Sequence, residues 1–134
     1  MHLLLFAVGA LRRTLPAAAV TEVIRAVSLI PVREQVVGVA GLIDVHGTLV
    51  PVVDLRPLLD QPPRALDPDE HFIIIEADGR PLVLRTDGAL DVLEAPAGPD
   101  VPPLPAIRTL LPPATRDWLD RGAWPETARG AAPA

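Results

Sequence analysis

The chain has 134 residues, of which 49% are hydrophobic and only 3% aromatic, so a single domain with an aliphatic core is expected. The absence of cysteine excludes disulfides and thiolate metal sites. The formal net charge is −5 and all twelve basic residues are arginines spread along the chain, which argues against a nucleic-acid-binding surface.

The first predicted element is a hairpin formed by residues 3–8 and 11–15 around Gly9-Ala10. The apolar run could be taken for a secretory signal, but no basic residue precedes it and Arg12-Arg13 follow it. We therefore expect a folded strand and no export. No stretch reaches the roughly 18 apolar residues of a membrane span, so membrane insertion is not expected. Residues 17–19 then connect to an extended segment over residues 20–30.

A second hairpin is predicted over residues 36–45 and 49–55, within the stretch VAGLIDVHGTLVPVVDL. Gly47-Thr48 favours a two-residue II′ turn, because glycine accepts a positive φ at the first central position. This register places His46 opposite Leu49 and gives the hairpin a core face made of Ile43, Val45, Val50 and Val52. The opposite face is apolar with two polar groups, and is either a contact surface or an incompletely covered sheet. Its residues are Leu42, Asp44, His46, Leu49, Pro51 and Val53.

Asp54 stands ahead of Leu55 and Pro57, a pattern that predicts the N-cap of one helical turn in preference to a catalytic role. Residues 61–69 are predicted to form a loop. Strands are then predicted over residues 71–77, 81–85 and 89–94, with a hairpin turn at Asp78-Gly79. About eight strands with short turns indicate a small barrel or sandwich.

The composition changes after Glu94, since nine of the seventeen prolines fall in the last 39 residues. This divides the chain into a core over residues 1–95 and a Pro/Ala-rich segment over residues 96–134. A short helix is predicted over residues 114–121, with Trp118 and Trp124 as docking residues for the segment. From Glu126 onward, ETARGAAPA is predicted to be disordered.

No pattern in the sequence predicts a catalytic site. There is no Gly-rich phosphate loop and no GxSxG elbow, and Ser28 is the only serine. Asp44 and His46 share a strand face, but two ligands are too few for a metal site and nothing places a third nearby. An enzyme or metalloprotein using Asp44, His46 and Asp54 is therefore the least favoured interpretation, and no cofactor is expected. Glu22, an acid within an apolar strand, could meet His46 across a surface.

Three stretches follow one another in an order typical of one family: LLLFAVGALRRTLPAAAVTEVIR, VVGVAGLIDVHGTLVPVVDLRPLL and FIIIEADGRPLVLRTDGALDVLE. Over residues 3–94 the chain resembles the CheW-like domain, the family of bacterial chemotaxis coupling proteins. The resemblance implies an all-β fold of two small SH3-like barrels that share a hydrophobic groove. It also implies a cytoplasmic protein without enzymatic activity.

The resemblance further implies a non-catalytic adaptor that links the cytoplasmic tip of a chemoreceptor to the regulatory domain of a CheA-type histidine kinase. Other CheW-like domains are further candidate partners. The family's V-x-E-V segment carries over to Val20 and Glu22, and its G-x-x-N-L-R-G stretch to Gly41, Val45 and His46. Val20, Gly41 and Val45 would contribute partner surface, whereas Glu22 and His46 would form its polar element.

The chain also departs from the family pattern. Asp44-Val45-His46-Gly47 stands where the family has N-L-R-G, whereas the late aspartate is retained as Asp87. The terminal strand pair of the family is not found after Glu94, so the second barrel is expected to be short of strands, with an unpaired edge. The alternative function is therefore a diverged, truncated scaffold that acts in a pilus-type or other signalling array without coupling receptor to kinase.

Overall fold

The structure, a computed structural model, describes residues 1–98, 100–122 and 124. The end predicted to be disordered from Glu126 onward lies outside these residues. The described part contains eight strands, as predicted: β1 His2–Val8, β2 Leu11–Pro16, β3 Val20–Arg25, β4 Val39–Val45, β5 Thr48–Asp54, β6 His71–Ala77, β7 Arg80–Thr86 and β8 Gly88–Glu94. Three short helices accompany them: α1 Leu55–Leu58, α2 Ile107–Leu110 and α3 Pro113–Arg121. A 3₁₀ turn, Ala17–Ala19, joins β2 to β3.

The strands form two sheets, which confirms the predicted all-β class. One sheet has three strands in the order β2-β1-β8, and the other has five in the order β3-β6-β7-β5-β4. All neighbouring strands are antiparallel except β5 and β7, which run parallel. No helix in the described ranges is both long and apolar enough to cross a lipid bilayer.

The main core lies between the two sheets. Phe6 and Val8 of β1 meet Ile73 of β6 and Leu84 of β7, and all four side chains are fully buried. Three residues from the segment after β8 complete this core: Leu104, Ile107 and Leu111. The segment is tied to the edge of β2 because Leu104 N–H donates to Thr14 O at 2.9 Å. A stretch without strands therefore fills space beside the three-stranded sheet.

The five-stranded sheet encloses a second core by curling. Phe72, Ile74 and Val83 of its central strands pack with Ile43, Val50 and Val52 of the β4–β5 hairpin. The sheet's two outer strands, β3 and β4, are also brought close to each other, although neither pairs with the other. This curl gives the five-stranded half a barrel-like shape.

The predicted turn between β4 and β5 is wrong by one residue. His46 and Gly47 are its central residues, with φ of 52° and 90°, and Val45 pairs with Thr48. Positive φ at both positions suits a type I′ turn, whose twist matches that of the flanking strands, and histidine tolerates this region better than most residues. Asp44 Oδ1 accepts the Gly47 N–H at 2.7 Å and so supports the turn. His46 thus leaves the strand face and occupies the hairpin tip.

The mixed face of this hairpin is not an open contact surface. Leu42 and Leu49 are only 3% and 2% exposed because Trp118 of α3 covers them. Trp124 stacks on Trp118 with ring centroids 4.7 Å apart, and its indole N–H donates to Leu49 O at 3.2 Å. Helix α3 occupies the place where a helix is predicted over residues 114–121. Sequence patterns showed a helix there, but not the surface on which it packs.

Candidate partner-binding surface

The two polar residues that were singled out, Glu22 and His46, come together in the fold. Glu22 lies on β3, just after an irregularity in the pairing of β3 with β6. His46 lies at the tip of the β4–β5 hairpin. Its Nε2 atom is 3.2 Å from Glu22 Oε1, although the two residues are 24 positions apart in the chain. The curl of the five-stranded sheet creates this contact, because β3 and β4 are its opposite edges.

The Glu22–His46 pair is open to solvent, with side-chain exposure of 39% for Glu22 and 81% for His46. Exposed ion pairs contribute little to stability, since water screens the attraction and ordering two side chains costs entropy. The pair therefore contributes little to holding the fold together, and both side chains are accessible to another molecule. Its polar atoms can be reached without moving the backbone.

The other three predicted residues differ in accessibility. Val45, next to His46, is half-buried against the core inside the curled sheet. Val20, at the start of β3, is half-buried against the main core between the sheets. Gly41 is buried, and a side chain there would meet Ile30 O at 2.8 Å. Gly41 thus allows residue 30 to form its bridge to β4, and its contribution to a surface would be indirect.

The Asp44–His46 pattern does not build a metal site in the described residues. The Asp44 carboxylate is engaged by the turn, and His46 faces Glu22. No group of three or more histidine, aspartate or glutamate side chains is placed to share a metal ion within the ranges that the structure covers. Asp54 caps α1 as predicted, by accepting the Arg56 N–H at 3.0 Å.

Sequence reasoning missed a buried ionic cluster at the end of the five-stranded sheet. Glu70, only 1% exposed, accepts hydrogen bonds from Arg85 at 2.7 Å and from Arg64 at 2.9 Å. Arg85 also donates to Asp54 at 3.1 Å. Burial favours the neutral form of Glu70, but the hydrogen bonds from Arg85, Arg64 and the Asp67 backbone outweigh it and lower the pKa of Glu70. The carboxylate is therefore held charged.

The cluster extends to the three-stranded sheet through Asp87. Both oxygens of Asp87 accept from Arg56, at 2.8 and 3.0 Å, and Oδ2 also accepts the Gly9 N–H of the β1–β2 turn at 2.8 Å. These contacts give a structural reason for the aspartate at position 87, immediately before β8, where the family pattern also has one. In the sequence, the retained Asp87 was the only sign of this arrangement. Its partners Arg56 and Gly9 lie 31 and 78 positions away, so no local pattern connects them to Asp87.

The geometry agrees with the comparisons to known proteins. A family model for the CheW-like domain matches residues 2–117. The chain therefore belongs to the CheW-like domain family.

A solved structure with the same fold is that of the scaffolding protein TtCheW from Thermoanaerobacter tengcongensis, with a TM-score of 0.64 and 26% sequence identity. The match covers 69% of this chain, and the chain spans 60% of the length of TtCheW. A search of curated proteins found no match.

Proposed function

We propose that the protein is a non-catalytic, cytoplasmic adaptor that links chemoreceptor tips to the regulatory domain of a CheA-type histidine kinase. The observation that carries this proposal is the exposed Glu22–His46 pair, 3.2 Å apart, at positions matching the V-x-E-V and N-L-R-G segments of the family. Membership of the CheW-like domain family and the likeness to a scaffolding protein support it.

The proposed contact surface has the Glu22–His46 pair as its polar element. Val45 and Val20 supply half-buried apolar area beside it, and Gly41 maintains the backbone of β4. A partial exposure of this kind is typical of interaction surfaces, where apolar atoms are buried on contact and a polar group fixes the orientation. In the proposed role, these residues contact a partner and none of them acts in catalysis.

Titration calorimetry against a kinase regulatory domain, and separately against a receptor cytoplasmic fragment, tests the proposal. His46→Ala should weaken at least one of the two interactions by about fivefold or more, since a polar anchor at an interface is lost. His46→Arg restores the residue type of the family and should retain binding. Glu76→Gln, an exposed acid on β6, is the matched control. If the chain bound neither partner, the coupling role would be wrong.

A second candidate is a scaffold in a pilus-type or other signalling array that does not couple receptor to kinase. The three-stranded sheet favours it, because the strand pair expected after β8 is replaced by the segment that carries α2 and α3. Such a scaffold would bind a full-length CheW-like domain but not a receptor fragment. The same calorimetry, with a full-length paralogue as a third ligand, separates the two candidates.

A further inference from the structure

Strand β8 carries exposed apolar side chains at the edge of the three-stranded sheet, including one on the face that elsewhere packs against the main core. Val92 lies opposite Leu4 of β1, so the two side chains point to the same side of the three-stranded sheet. Leu4 belongs to the main core and is 8% exposed, whereas Val92 is 55% exposed. Leu90, at an irregularity in the same pairing, is also exposed. The core side of the sheet is therefore bare at its β8 edge among the described residues.

The Ala89 N–H donates to His71 Nδ1 at 2.9 Å, but beyond Ala89 the backbone of β8 is unpaired on its outer side in the described part of the chain. Ala95 N–H donates to Met1 O at 2.9 Å, and hydrogen-bonded pairs alternate along an antiparallel ladder. The N–H and C=O groups of Val92 and Glu94 therefore point away from β1. Asp91 Oδ1 accepts the Val92 N–H at 2.7 Å. This carboxylate occupies the position that the carbonyl of a neighbouring strand would take.

The charges on this edge indicate what kind of strand could replace that carboxylate. Asp91 and Glu94 are both exposed. Glu94 Oε1 lies 2.8 Å from His2 Nε2, whereas Asp91 forms no ion pair within the ranges that the structure describes. A second copy of β8, paired antiparallel about its centre, would bring like charges together, which is unfavourable. A strand with basic side chains would not have this conflict.

We propose that the outer edge of β8 binds an extended segment of another protein, in which apolar side chains alternate with arginine or lysine. Its backbone adds a fourth strand, and its apolar side chains cover Leu90 and Val92. A carbonyl of the incoming strand accepts the Val92 N–H in place of Asp91. The released Asp91 carboxylate then pairs with a basic side chain of the segment. This site is separate from the Glu22–His46 surface.

A labelled, end-capped decapeptide of alternating Arg and Val tests the proposal by fluorescence anisotropy with the full chain. An alternating Glu-Val decapeptide is the control for strand addition without charge complementarity. We expect the Arg-Val peptide to bind at least tenfold more tightly, and to slow amide exchange of Val92 and Glu94 at least tenfold. Equal affinities of the two peptides, or protection at another edge, would overturn the proposal.

Two different substitutions of Val92 distinguish a loss of peptide binding from a loss of folding. Val92→Pro removes an N–H that the ladder with β1 does not use, and Val92→Asp replaces apolar area with a carboxylate on the face where the valines of the peptide would pack, which is costly to bury. Each should reduce Arg-Val peptide binding at least tenfold, and Val92→Asp should leave the melting temperature nearly unchanged. Val23→Asp, at an exposed valine on the β3 edge, is the matched control and should bind normally. Normal binding by both Val92 variants, or equal loss in the control, contradicts the proposal.

Other occupants of the edge give distinct results. A concentration-dependent dimer in light scattering that Val92→Asp abolishes would show that a second copy fills the edge, and would overturn the proposal. The Val92 amide could also be protected from exchange in the free chain and lose that protection when residues 125–134 are deleted. This result would show that residues 125–134 fill the edge, and it would also overturn the proposal. A monomer with an unprotected Val92 amide supports an external strand.

Discussion

The two sheets cover their apolar core faces in different ways. The five-stranded sheet curls until Glu22 and His46 on its opposite edges meet, so its own strands enclose the core around Phe72 and Val83. The three-stranded sheet is too narrow to curl in this way. On its core face it is covered by Leu104, Ile107 and Leu111, from a segment tied to the β2 edge, whereas Val92 at the β8 edge is left exposed.

This difference indicates that the number of strands in a sheet determines where the fold tolerates substitutions or the replacement of a segment. A curled sheet has few positions at which a segment can be replaced without losing strand pairing. A narrow sheet covered by a loop and short helices depends on apolar contacts, which many backbone conformations can supply. Substitutions should therefore lower the free energy of unfolding most at the buried charges of the five-stranded sheet, and least at its solvent-exposed rim.

The largest effect is expected from Glu70→Ala, which leaves Arg85 buried with part of its hydrogen bonding lost. Removing one member of a buried pair costs about 3–5 kcal/mol, and we expect about 3 kcal/mol here because Asp54 still accepts from Arg85. Urea denaturation measures the free energy of unfolding. Glu76→Ala, on the exposed side of β6, should change it by less than about 0.5 kcal/mol. A loss below about 1 kcal/mol for Glu70→Ala would contradict the prediction.

The same carboxylate should make stability depend on pH. The pKa of Glu70 is lower in the folded chain than its unfolded value of about 4.3. Its contribution is therefore complete above the unfolded pKa and is lost as pH falls through the folded pKa, from about pH 5 downward. Glu70→Ala should show a flatter acid limb than the wild-type chain in denaturation at about pH 3–6. Parallel acid limbs would mean that other carboxylates dominate.

Leu111→Ala should have the next largest effect, by opening a cavity in the main core where this leucine is 3% exposed. Leu→Ala changes in cores cost about 2–5 kcal/mol, and we expect about 2–3 kcal/mol because Leu111 lies in a segment of short helices that can partly collapse into the cavity. Leu90→Ala, at an exposed leucine of β8, is the matched control. Equal losses in the two variants would show that the segment is not part of the core.

Gly47→Val should cost about 1–3 kcal/mol, since φ at Gly47 is 90° and a β-branched residue is strained there. Steric crowding is not the cause, because a Cβ added to Gly47 would meet no atom of the described residues within 4 Å. Thermal denaturation of this variant beside Gly98→Val, at a glycine that also has open space but no positive φ, isolates the backbone contribution. Equal melting temperatures of the two variants would refute the type I′ turn.

Glu22→Gln should have the smallest effect on stability, about 0–1 kcal/mol, because the pair with His46 is exposed. Any decrease in the free energy of unfolding should be smaller still at about 1 M salt, where the attraction between Glu22 and His46 is screened. Denaturation at low and high salt measures this, with Glu34→Gln as the exposed control. A loss above about 2 kcal/mol would mean that the contact closes the curled sheet and is more than a surface pair.

Local patterns were sufficient for the number and order of the strands and for the cap at Asp54, because alternation and turn residues act over a few positions. The bounds were less accurate, since β3 ends at Arg25 and β4 begins at Val39, inside the predicted ranges 20–30 and 36–45. The turn at His46-Gly47 was placed one residue late because Gly-x and x-Gly pairs both suit two-residue turns. The deciding contribution of the Asp44 carboxylate is visible only in three dimensions.

Contacts between distant segments could not be predicted from the sequence. Nothing in the local pattern of α3 shows that Trp118 would cover Leu42 and Leu49, or that Glu70 would be buried with Arg85. The meeting of Glu22 and His46 was a hypothesis from surface residue types, and the curl of the sheet explains it. The partner-binding role of this pair stays a prediction.

The prolines beside β2 limit the stoichiometry of any assembly built on the three-stranded sheet. Pro103 lies next to Thr14, with Pro102 O and Leu104 N–H directed to β2, so the outward positions fall at Pro103 and Pro105. Neither residue has an N–H to offer a further strand. Among the described residues, β8 is therefore the edge better suited to receive a strand, and the complex proposed above would hold one added strand per chain. The prolines thus disfavour open-ended polymerisation through this sheet, and we expect the proposed complex to contain one bound segment per chain.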